Sequence, residues 1–142
     1  LKPKNRQRIA DIVIEPLQNN GMICLTPDAK SMLMWSYYAK GHSGVCLLFH
    51  TTPRMISSIA AQLFPLKVRY RRKFPQVDFC STGTVEFFQG IIGTKSLAWK
   101  HEKEWRIVFT DHVGSVNLPP RMLAGIVLGL RTSEEDERTI RA

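Results

Sequence analysis

The run Glu102-Lys103-Glu104-Trp105-Arg106-Ile107-Val108-Phe109 restricts this chain more than any other segment. Read as a strand, its side chains alternate between two faces. Trp105, Ile107 and Phe109 then share an apolar face, and Glu102, Glu104 and Arg106 share a charged one. Just upstream lie Lys95, Trp99 and His101, so one helix-to-strand junction crowds together a lysine, two tryptophans, a histidine, two glutamates and an arginine. The junction is a candidate site. The spacing names no reaction.

The rest of the chain alternates irregularly between helical and extended patterns. Asn5 to Gln18 reads as a helix with Ile9, Ile12, Val13 and Leu17 on one stripe, stopped by Asn19-Asn20-Gly21. Met22 to Leu25, Val45 to Phe49 and Ala124 to Leu130 read as buried apolar strands. Ser31 to Ala39 is apolar nearly all round, which predicts a helix buried on most sides, with Asp28 or Ser31 as its cap. Thr52-Pro53 opens a helix to about Leu63, ended by Phe64-Pro65. Thr84 to Trp99 is predicted helical, although Gly90 and Gly93 each cost about 1 kcal/mol against alanine in a helix interior. Leu118-Pro119-Pro120 is a corner, and Thr132 with Glu135 forms a capping-box pattern for a last helix. Without regular βαβ alternation, the expected class is α+β. Residues 1–142 should form a single domain, with a mixed or antiparallel sheet packed with several helices. No GxGxxG or GxxxxGK loop is present, which disfavours the dinucleotide-binding and P-loop folds.

Composition sets limits on function. Apolar residues at 44% and charged ones at 23% are ordinary globular values. No apolar run approaches the ~18 residues that span a bilayer. Cys24, Cys46 and Cys80 have no CxxC spacing and read as reduced core thiols, which implies a cytoplasmic protein. His42, His50, His101 and His112 lack zinc-ligand spacing, so no metal is expected.

The formal charge is +8. Part of the excess is local: Lys2, Lys4, Arg6 and Arg8 open the chain, and Lys67, Arg69, Arg71, Arg72 and Lys73 form a second run. On a strand from Leu66 to Arg71, Lys67, Arg69 and Arg71 line one face while Val68 and Tyr70 turn inward. Such a stripe suits a nucleotide or nucleic acid, and equally a solvated strand face.

Lys95 falls on the apolar stripe of the predicted Thr84–Trp99 helix, where an ammonium must snorkel outward or meet a buried anion. Glu102 and Glu104 are the nearest anions along the chain, and Arg106 shares their face. Two readings stand side by side. The four residues lock helix to strand, or the carboxylates hold different protonation states and one serves as base or as stabiliser of a developing cation. His42, between two glycines after an aromatic helix, is either a turn residue or a general acid–base group, with Tyr38 and Tyr37 nearby. The candidate catalytic residues are Glu102, Glu104 and His42. The candidate substrate contacts are Lys95, Arg106, Trp99, Tyr38, Arg69 and Arg71.

Leu33-Met34-Trp35-Ser36-Tyr37-Tyr38-Ala39 followed by His42-Ser43-Gly44-Val45-Cys46-Leu47-Leu48-Phe49 resembles a bacterial family catalogued as domain of unknown function 2971. Val68-Arg69-Tyr70 is similar to that family's Val-x-Tyr strand. Lys95, Trp99, Glu102, Glu104 and Arg106 match its Lys-x-x-x-Trp-x-x-Glu-x-Glu-x-Arg element, and Ile126 to Gly129 matches a late Ile-Val-Leu-Gly strand. The resemblance spans roughly Met22 to Gly129. The family's opening Tyr/Arg strand and Asn-Asp-Pro-Phe turn have no counterpart here, and the first residue is Leu1, so the chain reads as a fragment of a longer domain. At fold level the Glu-x-Glu strand also resembles ADP-ribosyltransferases. That likeness implies Glu104 as the catalytic carboxylate acting on NAD, Glu102 as the acceptor-activating one, and the basic stripe against a pyrophosphate or nucleic-acid acceptor. The cofactor is otherwise unassigned.

Overall fold

The two-faced run supplies the middle strand of a sheet. A computed structural model of the chain describes residues 18–50, 63–76, 84–109, 113–115 and 117–142. Its strands are β1 (Gly21–Leu25), β2 (Val45–Phe49), β3 (Leu63–Lys67), β4 (Arg69–Arg71), β5 (Thr94–Ser96), β6 (Trp105–Phe109) and β7 (Leu123–Leu128). The helices are α1 (Met32–Tyr38), α2 (Thr84–Ile92) and α3 (Glu134–Arg141), with 3-10 turns at Leu97–Glu102 and Pro120–Met122. β6 lies between β1 and β3, antiparallel to both, with Leu25 and Lys67 opposite Trp105 at one end and Gly21 and Leu63 opposite Phe109 at the other. β2 pairs antiparallel with β7, and β4 pairs in parallel with β5. Mixed pairing with interspersed helices is the expected α+β class.

Several expectations need correction. The strand begins at Trp105 rather than Glu102: Glu102 closes the 3-10 turn, and Lys103 follows in the left-handed region at φ 51°. The helix predicted to reach Trp99 stops at Ile92. A Cβ on Gly93 would overlap the carbonyl oxygen of Gln89 and come within 2.9 Å of Leu66 Cδ2. A glycine is therefore needed where β3 presses on the end of α2, and Lys95 lands on β5 instead of on a helix face. The basic run divides at Val68, whose N–H donates to Glu104 O at 3.0 Å, so Lys67 belongs to one sheet and Arg69 and Arg71 to another. Its facing is as expected: Val68 is buried, Tyr70 half-buried, and the three cations exposed.

Leu63-Phe64-Pro65 is strand, not the end of a helix. Proline cannot donate to a sheet ladder, and β3 is an edge strand that tolerates it. The final helix starts one residue later than the capping-box pattern indicates. Ser133, not Thr132, is its cap and accepts from Asp136 N at 3.1 Å. Residues 1–17, 51–62 and 77–83 lie outside the described residues. The helix of Asn5 to Gln18, the first basic run, the helix opened at Thr52 and Cys80 fall wholly or almost wholly there.

Burial differs most from expectation in α1 and in the apolar strands. Met32, Leu33, Tyr37 and Tyr38 are exposed, as are Met22 on β1, Val45 and Leu47 on β2, and Leu123, Ile126 and Val127 on β7. Neither Cys24 nor Cys46 is fully buried, and both are free thiols. Among the described residues the buried apolar side chains are Ala39, Val68, Val108, Phe109 and Met122. The physical reason for α1 is that its ends hold it rather than a broad packed face. Trp35 Nε1 donates to Ala29 O at 2.8 Å, and Gly44 N donates to Ala39 O at 2.9 Å.

The turn after α1 is clamped by the end of β7. Gly129 N donates to Gly44 O at 3.0 Å, and Arg131 N donates to His42 O at 2.9 Å. A Cβ on Gly129 would overlap the His42 carbonyl oxygen and lie 2.8 Å from Gly44 O. Both obstacles are backbone, so Gly129→Ala is expected to cost about 1–3 kcal/mol of stability. Urea unfolding checks this, and an unchanged midpoint would show that the two backbones can part freely.

Candidate functional site

The charged face is the most deeply buried polar part of the described chain. Glu102 is 2% exposed and Glu104 4%. Lys95 reaches them from β5, donating from Nζ to Glu102 Oε2 and to Glu104 Oε2, the latter at 3.0 Å. Arg106, the next residue on the same face of β6, donates from Nε to Glu104 Oε1 at 2.8 Å and from Nη2 to Oε2 at 3.3 Å. Its Nη1 donates to Ile92 O at the end of α2. Tyr38 Oη, from α1, donates to Glu102 Oε1 at 2.8 Å, and Glu104 N donates to Tyr70 Oη at 2.7 Å. One cluster thus ties together α1, α2, β4, β5, the 3-10 turn and β6.

The buried anion expected for Lys95 is present, though for another reason than the one anticipated. Lys95 is brought in by a parallel strand pair, with Tyr70 as its neighbour in register. Glu102 joins Glu104 through a turn instead of through strand alternation.

Electrostatics fix the charge state of the cluster. Burial opposes the charge of Glu104, yet hydrogen bonds from Arg106, the Cys24 thiol and Lys95 outweigh it and hold the carboxyl at about 2. Burial likewise works against the Lys95 ammonium, and hydrogen bonds to Glu102 and Glu104 overcome it and raise its pKa. Arg106 behaves in the same way, burial being outweighed by Glu104. The hydrogen bond to Glu102, and then burial, raise the Tyr38 phenol. Burial, then Glu104, push the Cys24 thiol up to about 11. None of these five groups sits near neutral pH, where a general acid or base works best.

Two members escape the sequence reading. Periodicity turns Tyr70 inward, but does not show that it accepts from the Glu104 backbone. Cys24 reads as a core thiol, and nothing in the sequence signals that β1 sets it opposite Arg106.

The other candidates divide between this cluster and other places. Trp99 lies beside Lys95, whose Nζ is 5.3 Å from its ring centre. His42 stands elsewhere. It stacks on Trp35 with ring centres 6.4 Å apart and hydrogen-bonds Ser36 Oγ at 3.1 Å. Because Ser36 Oγ gives its one proton to Met32 O, His42 Nε2 is the donor. No hydrogen bond or ion pair among the described residues joins His42 to the carboxylates. Arg69 and Arg71 are exposed on β4.

A cavity of about 690 Å³ lies on the other face of β6, lined by Leu25, Cys46, Leu48, Phe49, Trp105 and Ile107 among others. Neither Glu102 nor Glu104 lines it. Among the described residues, no group of three His, Cys, Asp or Glu side chains is placed to hold a metal, and no helix is long and apolar enough to cross a membrane.

No curated protein and no solved structure matches the chain significantly. Residues 34–107 match the family described as Protein of unknown function (DUF2971). The matched span holds Tyr38, Tyr70, Lys95, Glu102, Glu104 and Arg106, the side chains that converge on the buried cluster, and it covers more than half of the sequence. The chain belongs to that family.

Proposed function

We propose that this chain is a non-catalytic module that binds a phosphate-bearing polymer, a nucleic acid, through the Lys67–Lys73 stripe. In this reading Lys95, Glu102, Glu104 and Arg106 are its internal lock. One observation carries the proposal: Arg69, Arg71, Arg72 and Lys73 are exposed and form no ion pair among the described residues. The two carboxylates a catalyst would use are, by contrast, buried and fully engaged. A nucleic acid held by the stripe should dissociate steeply with salt, each neutralised phosphate adding about 0.7–0.9 to the logarithmic slope. Titrating Arg69→Gln/Arg71→Gln/Arg72→Gln beside the parent chain should show both weaker binding and a shallower slope. Affinity indifferent to salt overturns the reading.

The rival is an ADP-ribosyltransferase-like enzyme with Glu104 as catalytic carboxylate and NAD as sugar donor. One feature favours it: Lys95 is 22% exposed at its side chain and Tyr38 is open to solvent, so the rim of the cluster meets water. Incubating the chain and Glu104→Gln with NAD separates the two. Turnover abolished by that substitution would replace the binding module with the enzyme.

A further inference from the structure

Tyr37, Tyr38, Trp99 and His101 form an aromatic group on the surface, directly over the ion cluster. Tyr37 is the hub. Its ring centre is 5.9 Å from Trp99, 6.4 Å from Tyr38 and 6.2 Å from His101, and Trp99 and His101 are 6.0 Å apart. Tyr37 meets Trp99 and Tyr38 edge-on, at 68° and 89°. Much of this surface is in water: Tyr37 is 55% exposed, Tyr38 63% and Trp99 39%. Aromatic residues left this open as a contiguous group mark a contact surface more often than a folding need.

The rings are also held in place. Tyr38 is fastened through Glu102, and Trp99 lies beside the Lys95 ammonium. A platform anchored to a buried salt-bridge network loses little conformational freedom when a ligand arrives.

The platform adjoins the basic stripe. Arg71 on β4 is opposite Ser96 on β5, and the 3-10 turn that carries Trp99 starts at Leu97. Three residues of 3-10 helix rise about 6 Å, so Trp99 stands only that far along the turn from the position paired with Arg71. Lys100, exposed on the same turn, adds a cation beside Trp99. Cations tracking a backbone, next to exposed rings that receive bases, are the two components by which proteins hold single strands. A duplex keeps its bases stacked inward and offers such rings nothing.

Resting on the polyanion-binding reading above, we propose that the aromatic group is a base-stacking subsite and that the ligand is a single-stranded nucleic acid. The Lys67–Lys73 stripe grips its phosphates, and Trp99 and Tyr37 stack on an unpaired base.

The test uses the whole chain, with a short fluorescent oligothymidylate, the matching oligouridylate and a duplex of equal length, at fixed salt. Either single strand is expected to bind more tightly than the duplex. Trp99→Ala should weaken single-strand binding roughly tenfold or more, since a stacked base contributes about 1–3 kcal/mol, and should leave duplex binding unchanged. Trp99→Phe should restore much of the loss. Tyr37→Ser gives a second reading, at a ring that meets its neighbours by aromatic contact, should Trp99→Ala disturb the fold. Equal affinity for single strand and duplex, with neither Trp99→Ala nor Tyr37→Ser changing either, overturns the stacking subsite. In that case the stripe can still be sound, provided Arg69→Gln/Arg71→Gln/Arg72→Gln weakens both ligands. No binding of any oligonucleotide at low salt overturns both.

Discussion

Replacing Lys95 with methionine is expected to lower folding stability by about 3–5 kcal/mol, because it strands a buried charge. The ammonium bridges Glu102 and Glu104. Without it, Glu104 keeps Arg106, but Glu102, at 2% exposure, keeps only the hydroxyl of Tyr38. A buried ion pair exchanged as a whole for neutral groups is often nearly neutral for stability, whereas removing one partner is costly. The double variant Lys95→Met/Glu102→Gln should therefore recover much of the loss, since the glutamine amide can still accept from Tyr38 and carries no charge to strand. Urea unfolding of the parent, Lys95→Met, Glu102→Gln and the double variant closes the cycle. If Lys95→Met lies within about 1 kcal/mol of the parent, Glu102 is reached by water and the cluster is no lock. If Lys95→Met does not fold at all, recovery of a folded protein in the double variant supports the same lock.

This sensitivity bears on how much of the site is legible in the sequence. Alternation correctly puts Glu104 and Arg106 on one face of a strand, because pleating is local and depends only on neighbouring residues. It assigns Glu102 to that face as well, but through the wrong geometry: a left-handed Lys103 and a 3-10 turn bring it there, and backbone of that kind leaves little trace in side-chain periodicity. Apolar spacing continues past Gly93 and so places Lys95 on a helix. The spacing cannot reveal that Leu66, from a strand far off in sequence, presses on that glycine and ends the helix.

The larger reversal concerns which face is buried. Hydropathy assigns the interior to Tyr37, Met32 and Val127, and these are exposed, while two glutamates are sealed. Hydropathy scores each residue alone. The burial of Glu102 and Glu104 depends on cations and hydroxyls from Lys95, Arg106 and Tyr38, which only the tertiary fold brings within reach. The same limit explains why sequence reasoning groups His42 with the carboxylates. It follows an aromatic helix whose Tyr38 does reach the cluster, but the turn carries His42 away onto Trp35 and Ser36.

Glu104 makes acid stability the second measurable consequence. Its carboxyl is held at about 2 in the folded chain, against an ordinary 4.5. A carboxyl depressed by folding contributes stability that is complete above its unfolded value and disappears as pH falls through its folded value. The gap corresponds to about 3 kcal/mol, present at neutral pH and lost between about 4.5 and 2. Lys95 and Arg106 are shifted upward, so their contributions stay constant over that window and do not obscure it. Glu104→Gln removes the titration while keeping the shape of the side chain. At neutral pH the variant should be less stable by a comparable amount, since Arg106 loses its carboxylate partner. Other acidic groups titrate in both proteins and cancel in the comparison, so the stability difference between parent and variant should close as pH drops from 4.5 towards 2. Chemical denaturation at a series of pH values reads that difference directly. A constant difference across the window would mean that Glu104 has an ordinary carboxyl in the folded chain, and the lock would then depend on Glu102 alone.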